Sequence, residues 1–248
     1  MLNKIKILTF TLALTTNISL CQAVLPEDFI YLDEFDSTIR TSLRYVGNDN
    51  FIGKPIDGYK SSRVILTEKA AKALSEAQSY FKKDGYSIVV YDGYRPQVAV
   101  NHFMEWSKKP EDKKMKAEFY PRVDKADVFK LGYVAEKSGH SRGSTVDISL
   151  IPIDKELHAI KPEPRKLKGD FEIIFLNDGT INMGSSFDLF DEASHYENNL
   201  ITEEQQNLRK YLKEGMEKFG FKNYAEEWWH FTLKDEPFPQ THFNFPVE

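Results

Sequence analysis

The chain has 248 residues and no linker-like stretch, which favours a single compact domain. Hydrophobic residues make up 41% of the sequence and aromatic residues 13%, enough apolar surface for a sizeable core, and a charged content of 29% is ordinary for a globular protein. The formal net charge of -5 provides no general basic face, which argues against nucleic acid as a partner. A small substrate is therefore the first expectation.

Residues 1–23 are typical of a cleavable export signal. Lys4 and Lys6 form a basic start, an apolar run follows over residues 7–20, and Cys21-Gln22-Ala23 offers small residues where such a signal is cut. A buried helix or a membrane anchor is the alternative, but threonines and Asn17 dilute the run, and a bilayer span needs about 20 strongly apolar residues. We therefore predict an exported, periplasmic protein whose mature domain, residues 24–248, lies outside the membrane and has no cysteine for a disulfide or a thiol nucleophile.

The first half of this domain predicts strands and loops followed by two helices. Residues 28–59 combine turn residues with aromatics, and apolar residues at helical spacing predict a helix over Thr67–Lys83 that ends at Gly85. The β-branched run Tyr86–Tyr91 predicts a strand, and a loop carrying Arg95 follows it. Pro96 suits the first turn of the second helix.

The second half mixes strands with one further helix. We predict a surface excursion, a strand, a hairpin, a capped helix and a last strand, in this order: residues 108–125, 144–151, 171–183, 202–220 and 228–233. Because the strands and helices follow no regular βαβ rhythm, the expected fold class is a single α+β domain with a mainly antiparallel sheet flanked by helices.

Two histidines and one aspartate have a spacing that suits a metal site. His140 and Asp147 lie seven residues apart where a loop becomes a strand, and His230 begins another strand. Two imidazoles and a carboxylate fill three of the four positions that zinc prefers, and catalysis needs the fourth to be open. From spacing alone, structural or surface roles for these histidines remain the alternative.

Glu227 and Arg95 are candidate catalytic groups. Glu227 precedes His230 by three residues, and on a regular strand the two side chains would point to opposite faces. We therefore expect a loop or bulge at Glu227, which would let it serve as general acid and base. Arg95 could stabilise an oxyanion, or it could be a turn residue that forms a surface ion pair with Asp92.

Taken together, the motifs resemble the D-alanyl-D-alanine dipeptidases of the VanX type, in the M15 family of zinc D,D-peptidases. The resemblance covers nearly all of residues 24–248, in order. It rests on these stretches: Leu43-Arg44-Tyr45, residues 50–59, Asp92-Gly93-Tyr94-Arg95-Pro96, residues 138–147, Met183-Gly184, Phe187-Asp188, Ser194-His195, Glu227-Trp228-Trp229-His230 and Phe243-Asn244-Phe245-Pro246.

The resemblance implies a Hedgehog/DD-peptidase-like fold, one zinc ion per chain and hydrolysis of a small D,D-dipeptide. It assigns the zinc to His140, Asp147 and His230. The other implied roles are an acid/base for Glu227, carbonyl stabilisation for Arg95, ammonium binding for Asp188 and Tyr45, substrate binding for Ser138 and packing near the substrate for Phe103. A pocket that pairs both charged ends of a dipeptide would exclude longer chains.

Three departures from the family pattern stand out. Gly139 replaces a residue with a side chain beside the first zinc ligand, and residues 154–169 resemble an insertion that could reshape the pocket rim. The export signal is the third, because the best known resistance enzyme of this type acts in the cytoplasm. We therefore expect a role in recycling or turnover of wall peptides outside the inner membrane.

Two other functions remain open at this stage. The same zinc chemistry would serve a D,D-carboxypeptidase or endopeptidase that trims longer wall peptides. A non-catalytic module that binds the wall or a metal is the alternative from another class, although Glu227 and Arg95 argue against it. Imidazole ligands favour zinc over calcium, and manganese or iron could substitute.

Overall fold

The computed structural model describes residues 25–248. The predicted signal peptide, residues 1–23, lies outside this range and stays a prediction. The helices are α1 Leu32–Phe35, α2 Glu68–Lys83, α3 Gln97–Ser107, α4 Lys116–Phe119 and α5 Glu203–Glu217. The strands are β1 Phe29–Tyr31, β2 Arg40–Thr41, β3 Ile65–Thr67, β4 Tyr86–Asp92, β5 Thr145–Pro152, β6 Lys161–Lys166, β7 Glu172–Asn177, β8 Phe221–Tyr224 and β9 Glu227–Leu233.

A five-stranded sheet in the order β2-β4-β5-β9-β8 forms the centre of the fold. Only the β2-β4 pair is parallel, and the remaining pairs of this sheet are antiparallel. Two-stranded antiparallel sheets, β1-β3 and β6-β7, lie beside it. The predicted α+β class with a mainly antiparallel sheet is therefore confirmed.

Helices α2 and α5 form where the sequence predicts them, because apolar spacing and caps agree. Thr67 caps α2 by accepting a hydrogen bond from the amide of Ala70, and Thr202 and Gln205 form the predicted capping box of α5. The buried face of α2, which includes Leu74 and Phe81, packs against β4 and α5. Burying side chains of this size stabilises the fold by about 1.5–3 kcal/mol each.

The hairpin predicted over residues 171–183 is wrong. Strand β7 pairs instead with β6, in the segment that the sequence analysis treats as an insertion. The amide of Ile181 donates to the carbonyl of Leu150 at 2.9 Å, so the chain after β7 follows the central sheet. Pro162 and Pro164 make β6 unlike a strand in sequence, because proline cannot donate a backbone hydrogen bond. They occupy alternate positions of an edge strand, where the missing N–H groups would point away from β7.

Within residues 25–248, no helix combines the length and the apolar character that crossing a bilayer requires.

Candidate active site

The order of the central strands brings the predicted metal ligands together. Asp147 and His230 are directly paired across β5 and β9. His140 lies in a 3-10 turn, Gly139–Arg142, just before β5. Gly143 ends that turn with a φ of 80°, a conformation that favours glycine, and its carbonyl accepts a hydrogen bond from the amide of Thr67 at 2.8 Å. The turn is thereby tied to the end of β3, with the imidazole over the sheet.

The side chains of the three predicted ligands form a tight triangle, with both carboxylate oxygens of Asp147 near an imidazole nitrogen. His140 Nε2 lies 3.3 Å from His230 Nδ1 and 3.2 Å from Asp147 Oδ2, and His230 Nδ1 lies 3.1 Å from Asp147 Oδ1. Ligands at ~2.0–2.2 Å from a tetrahedral zinc ion are separated by about 3.3–3.6 Å. One ligand atom from each of the three side chains lies within 4.8 Å of the others, so the cluster is close to the size that zinc requires.

The donor chemistry also fits a metal ion. Asp147 Oδ1 is buried and makes no hydrogen bond of acceptable geometry, even with His230 Nδ1 nearby, which is unusual for a carboxylate oxygen. Burial acts to raise the pKa of Asp147, but the two imidazoles outweigh it and hold the pKa below its usual range. His140 Nδ1 lies 2.8 Å from the carbonyl of Gly93, which leaves Nε2 directed at the cluster. His140, Asp147 and His230 could therefore hold one zinc ion.

Glu227 reaches the cluster through the expected irregularity in the strand. Asn223 pairs with Phe231, but the next residue, Tyr224, pairs with Glu227, so the β9 backbone bulges between these positions. The bulge places Glu227 Oε2 3.4 Å from His230 Nδ1. Burial raises the pKa of Glu227 above its usual value, although His230 opposes the shift. A carboxyl group with a raised pKa beside a metal site suits proton transfer.

Arg95 lies within the site and is not a surface residue, because its side chain is only 11% exposed. Its Nε donates to Asp92 Oδ2 at 2.9 Å, and its Nη2 lies 3.5 Å from Asp147 Oδ2. The guanidinium carbon lies 5.1 Å from the ring centroid of Tyr45 and 5.3 Å from that of Phe103. Arg95 therefore does pair with Asp92, but this ion pair is not on the surface. It holds the guanidinium beside the predicted metal ligands.

Asp188 and Tyr45 form an acidic subsite in the same pocket. The Tyr45 hydroxyl donates to Asp188 Oδ2 at 2.8 Å, and burial together with Asp147 raises the pKa of Asp188 well above its usual value. A nearby cation would favour the charged form of this carboxyl group. Asp188 also has a φ of 61°, a backbone conformation that costs energy for a residue with a side chain and that clusters at functional sites.

All nine predicted site residues line one pocket of about 290 Å³. Ser138 caps the turn that carries His140 and accepts a hydrogen bond from the His140 amide at 3.2 Å. The volume lies at the lower end of the about 300–1,000 Å³ that is typical of small-molecule sites, so the pocket suits a small ligand. The nine residues are Tyr45, Arg95, Phe103, Ser138, His140, Asp147, Asp188, Glu227 and His230.

The two structural departures from the family pattern have different consequences. A Cβ atom at Gly139 would lie 2.8 Å from Thr145 Oγ1, so a side chain at this position would have to displace Thr145. Residues 154–169 contribute no side chain to the described pocket lining, which places the insertion away from the pocket.

The sequence of this chain matches the model of a known protein family. The family model described as D-ala-D-ala dipeptidase, of the M15 peptidases, matches residues 26–159 and 172–248. The chain belongs to the D-Ala-D-Ala dipeptidase family. This confirms the resemblance found in the motifs, and it shows that the stretch outside the family pattern, residues 160–171, begins later than the predicted insertion at residue 154.

Relatives from several bacteria cover most of the chain. A D-alanyl-D-alanine dipeptidase of Enterococcus faecalis is 40% identical over 219 residues, 88% of this chain and 98% of the relative. A protein of the same name from Streptomyces coelicolor is 40% identical over 221 residues, 89% of this chain and 98% of the relative. The chain is therefore a metallopeptidase of this family, and the predicted zinc cofactor agrees with both the family and the His-Asp-His site.

Similarity to solved structures is more distant. A VanY D,D-pentapeptidase mutant in complex with Zn(II) has a TM-score of 0.38 and 16% identity, over 72% of this chain and 78% of that one. VanYB in complex with D-alanine-D-alanine has a TM-score of 0.37 and 16% identity, over 72% and 76% of the two chains. Both identities are far below the 40% of the dipeptidase relatives.

Several groups around the site have a place in it that the sequence did not predict. Asp92 is fully buried, and its Oδ1 accepts a hydrogen bond from the Tyr59 hydroxyl at 2.7 Å. Both residues belong to motifs that carry the resemblance, which was an available signal. Tyr133 and Tyr224 also line the pocket but lie outside those motifs, so no local signal marked them.

Zinc is expected to raise the melting temperature of the metal-free protein, because the folded chain presents a nearly complete site. At a concentration about 1,000 times the dissociation constant, a ligand that binds only the folded state adds about 4 kcal/mol. For a domain of this size that corresponds to a shift of about 8–16 °C, measurable by thermal unfolding with and without zinc.

The matched control for this prediction is Asp84→Asn, at the exposed end of α2, which should keep the full shift. Asp147→Asn should lose most of it, because a neutral amide is a poor zinc ligand. Calcium, which prefers oxygen ligands, should cause little shift in any variant. An equal zinc shift in wild type and Asp147→Asn would contradict the site.

Proposed function

We propose that the protein is a zinc-dependent hydrolase of the dipeptide D-Ala-D-Ala. One observation carries the proposal: the His140, Asp147 and His230 triangle has Glu227 3.4 Å from one of its members, inside a small pocket that also holds Asp188. The curated relatives named D-alanyl-D-alanine dipeptidase support the same substrate. A free dipeptide of this kind is small and presents a peptide bond, an ammonium group and a carboxylate together.

In this proposal, Glu227 and Arg95 have separate roles in the reaction. Zinc, when bound, acts as a Lewis acid that acidifies water and polarises a carbonyl. Glu227 takes a proton from the attacking water and later delivers it to the leaving amine. Arg95 donates to the carbonyl oxygen as it gains negative charge, and its hydrogen bond to Asp92 keeps the guanidinium in place.

The remaining predicted residues would hold the dipeptide. Asp188 and Tyr45 would receive the substrate ammonium group, because the Asp188 carboxylate and the Tyr45 hydroxyl are hydrogen-bonded to each other in the pocket wall. Ser138 would bind the substrate through its hydroxyl group, and Phe103 would pack against it. A peptide with an acylated amine would bring no positive charge to Asp188, so this arrangement favours a free dipeptide over a longer chain.

A comparison of substrate length tests this function. Purified protein loaded with zinc should hydrolyse free D-Ala-D-Ala and leave a pentapeptide ending in the same pair largely intact. Turnover of the pentapeptide alone would instead identify a D,D-carboxypeptidase, the nearest alternative. Metal analysis of the same preparation would show whether one zinc ion is bound per chain.

We further propose that the protein is exported and acts on D,D-dipeptides released outside the inner membrane, in recycling or turnover of wall peptides. The support is the export pattern of residues 1–23. Fractionation of cells is the test: the processed chain should be found in the periplasm, and full-length chain in the cytoplasm would refute this location.

A further inference from the structure

Tyr133 is a pocket residue to which the proposed reaction gives no role. It lines the same pocket as the metal triangle and Asp188, and only 8% of it is exposed. It follows Gly132 in the segment between α4 and β5.

A chain of aromatic contacts connects Tyr133 with the proposed ammonium subsite. The Tyr133 ring stacks on Phe190, with centroids 5.4 Å apart and an angle of 17° between the planes. Phe190 contacts Phe51 at 4.9 Å, and Phe51 contacts Tyr45 at 6.2 Å. Tyr45 donates to Asp188, which lies two residues before Phe190 on the same loop. Tyr133 therefore belongs to the same aromatic cluster as Tyr45, and through Phe190 it packs against the loop that carries Asp188.

His195 fixes the Tyr133 side chain. The Tyr133 hydroxyl is hydrogen-bonded to His195 Nε2 at 3.0 Å. The carbonyl of His195 in turn accepts a hydrogen bond from Arg209 Nη1 at 2.7 Å. Arg209 is 1% exposed, and it also donates to the carbonyls of Met183 and Ala193, so it anchors the whole loop that carries Asp188.

The backbone next to Tyr133 is fixed from a second side. The Tyr224 hydroxyl donates to the carbonyl of Gly132 at 3.1 Å, and a Cβ atom on Gly132 would lie 2.6 Å from that hydroxyl oxygen. Gly132 also has a φ of 85°, which favours glycine. The Tyr133 ring thus cannot leave the pocket wall without breaking contacts on both sides.

We infer that Tyr133, held by His195, is a specificity-determining residue that restricts this site to free dipeptides. The inference rests on the proposed function and names the group that sets its substrate length. An additional residue on the substrate amine needs about 3.3–3.6 Å of extended chain beyond the position of the ammonium group. That residue would have to displace a buried ring that is both stacked and hydrogen-bonded, and such a clash rejects the longer peptide.

The test compares kcat/KM for D-Ala-D-Ala with kcat/KM for a tripeptide ending in the same pair. Tyr133→Ala should raise the tripeptide-to-dipeptide ratio about tenfold or more, within the range that pocket shape usually contributes. Tyr133→Phe keeps the ring but loses the bond to His195, so its ratio should rise less. A merely structural role would lower both values together and leave the ratio unchanged.

Variants of His195 provide a second measurement if Tyr133→Ala folds poorly. His195→Ala should match Tyr133→Phe, whereas His195→Gln retains an acceptor for the tyrosine hydroxyl and should restore the wild-type ratio. Tyr196→Ala is the matched control, because Tyr196 neighbours His195 in sequence but does not belong to the described lining of the site pocket.

The outcomes separate this inference from the proposed function. If wild type cleaves the dipeptide selectively and the ratio stays within about twofold in Tyr133→Ala and His195→Ala, the role of Tyr133 is overturned and the dipeptidase function stands. If wild type cleaves the tripeptide as well as the dipeptide, the role of Tyr133 is overturned, because the ring is in place and does not exclude the longer chain, while hydrolysis of D-Ala-D-Ala stands. If wild type does not cleave the dipeptide, the proposed function itself is overturned.

Discussion

Glu227→Gln should lower kcat/KM for D-Ala-D-Ala by about 10² to 10⁴, the usual contribution of general acid and base catalysis, while the protein still binds zinc. Glutamine has the shape of glutamate but cannot take a proton from water. Glu227 is only 7% exposed and lies 3.4 Å from His230, so an isosteric change tests proton transfer with little disturbance of packing. The measurements are steady-state kinetics and zinc content on the same preparation.

The control for this variant is Glu226→Gln, because Glu226 lies in the turn between β8 and β9 and is not a described lining residue of the site pocket. This control should retain wild-type activity. Unchanged hydrolysis in Glu227→Gln would refute the assignment of the acid and base. Loss of zinc together with activity would show instead that Glu227 supports the metal site.

Arg95→Lys should reduce the rate by about 10² to 10³, the effect of removing one oxyanion donor, with most of the loss in kcat. Lysine keeps the positive charge but cannot direct one planar group at Asp92 and at the substrate carbonyl together. The guanidinium has donors in two directions, since Nε donates to Asp92 while Nη2 extends toward Asp147.

Arg142→Lys is the matched control for Arg95→Lys. Arg142 also lines the pocket, but its guanidinium is occupied by two hydrogen bonds to Glu236, at 2.8 and 2.9 Å. We expect a much smaller loss of kcat in this variant. If Arg95→Lys raised KM and left kcat unchanged, Arg95 would bind the ground state of the substrate and would not stabilise the transition state.

The proposed reacting groups could be named from the sequence because motifs state residue type and spacing. His140, Asp147, His230, Glu227 and Arg95 all lie in short stretches with recognisable order, and the structure brings all five into one pocket. The bulge at Glu227 was predictable as well, since a regular strand would separate it from His230. Local rules and the family resemblance were thus sufficient to name the proposed metal ligands and the proposed catalytic pair.

Strand pairing was where local rules failed. Residues 171–183 have the pattern of a hairpin, yet β7 takes β6 as its partner, and two prolines in β6 conceal that strand. Periodicity describes which residues can form a strand, and it contains no information on which strand lies next to it. The start of the segment outside the family pattern was also misplaced, because the predicted insertion begins at residue 154 whereas the family model leaves out residues 160–171.

The sequence by itself determined helices α2 and α5 with their caps, the mixed fold class and the set of side chains that we propose for the chemistry. These features depend on propensities and on spacing along the chain. The tertiary structure alone decided that Arg95 packs against Asp92 and Asp147 inside the pocket, and that Tyr133 contacts His195, 62 residues away in sequence. Contacts of this kind follow from the order of strands in the sheet and from the packing of loops, which no local pattern specifies.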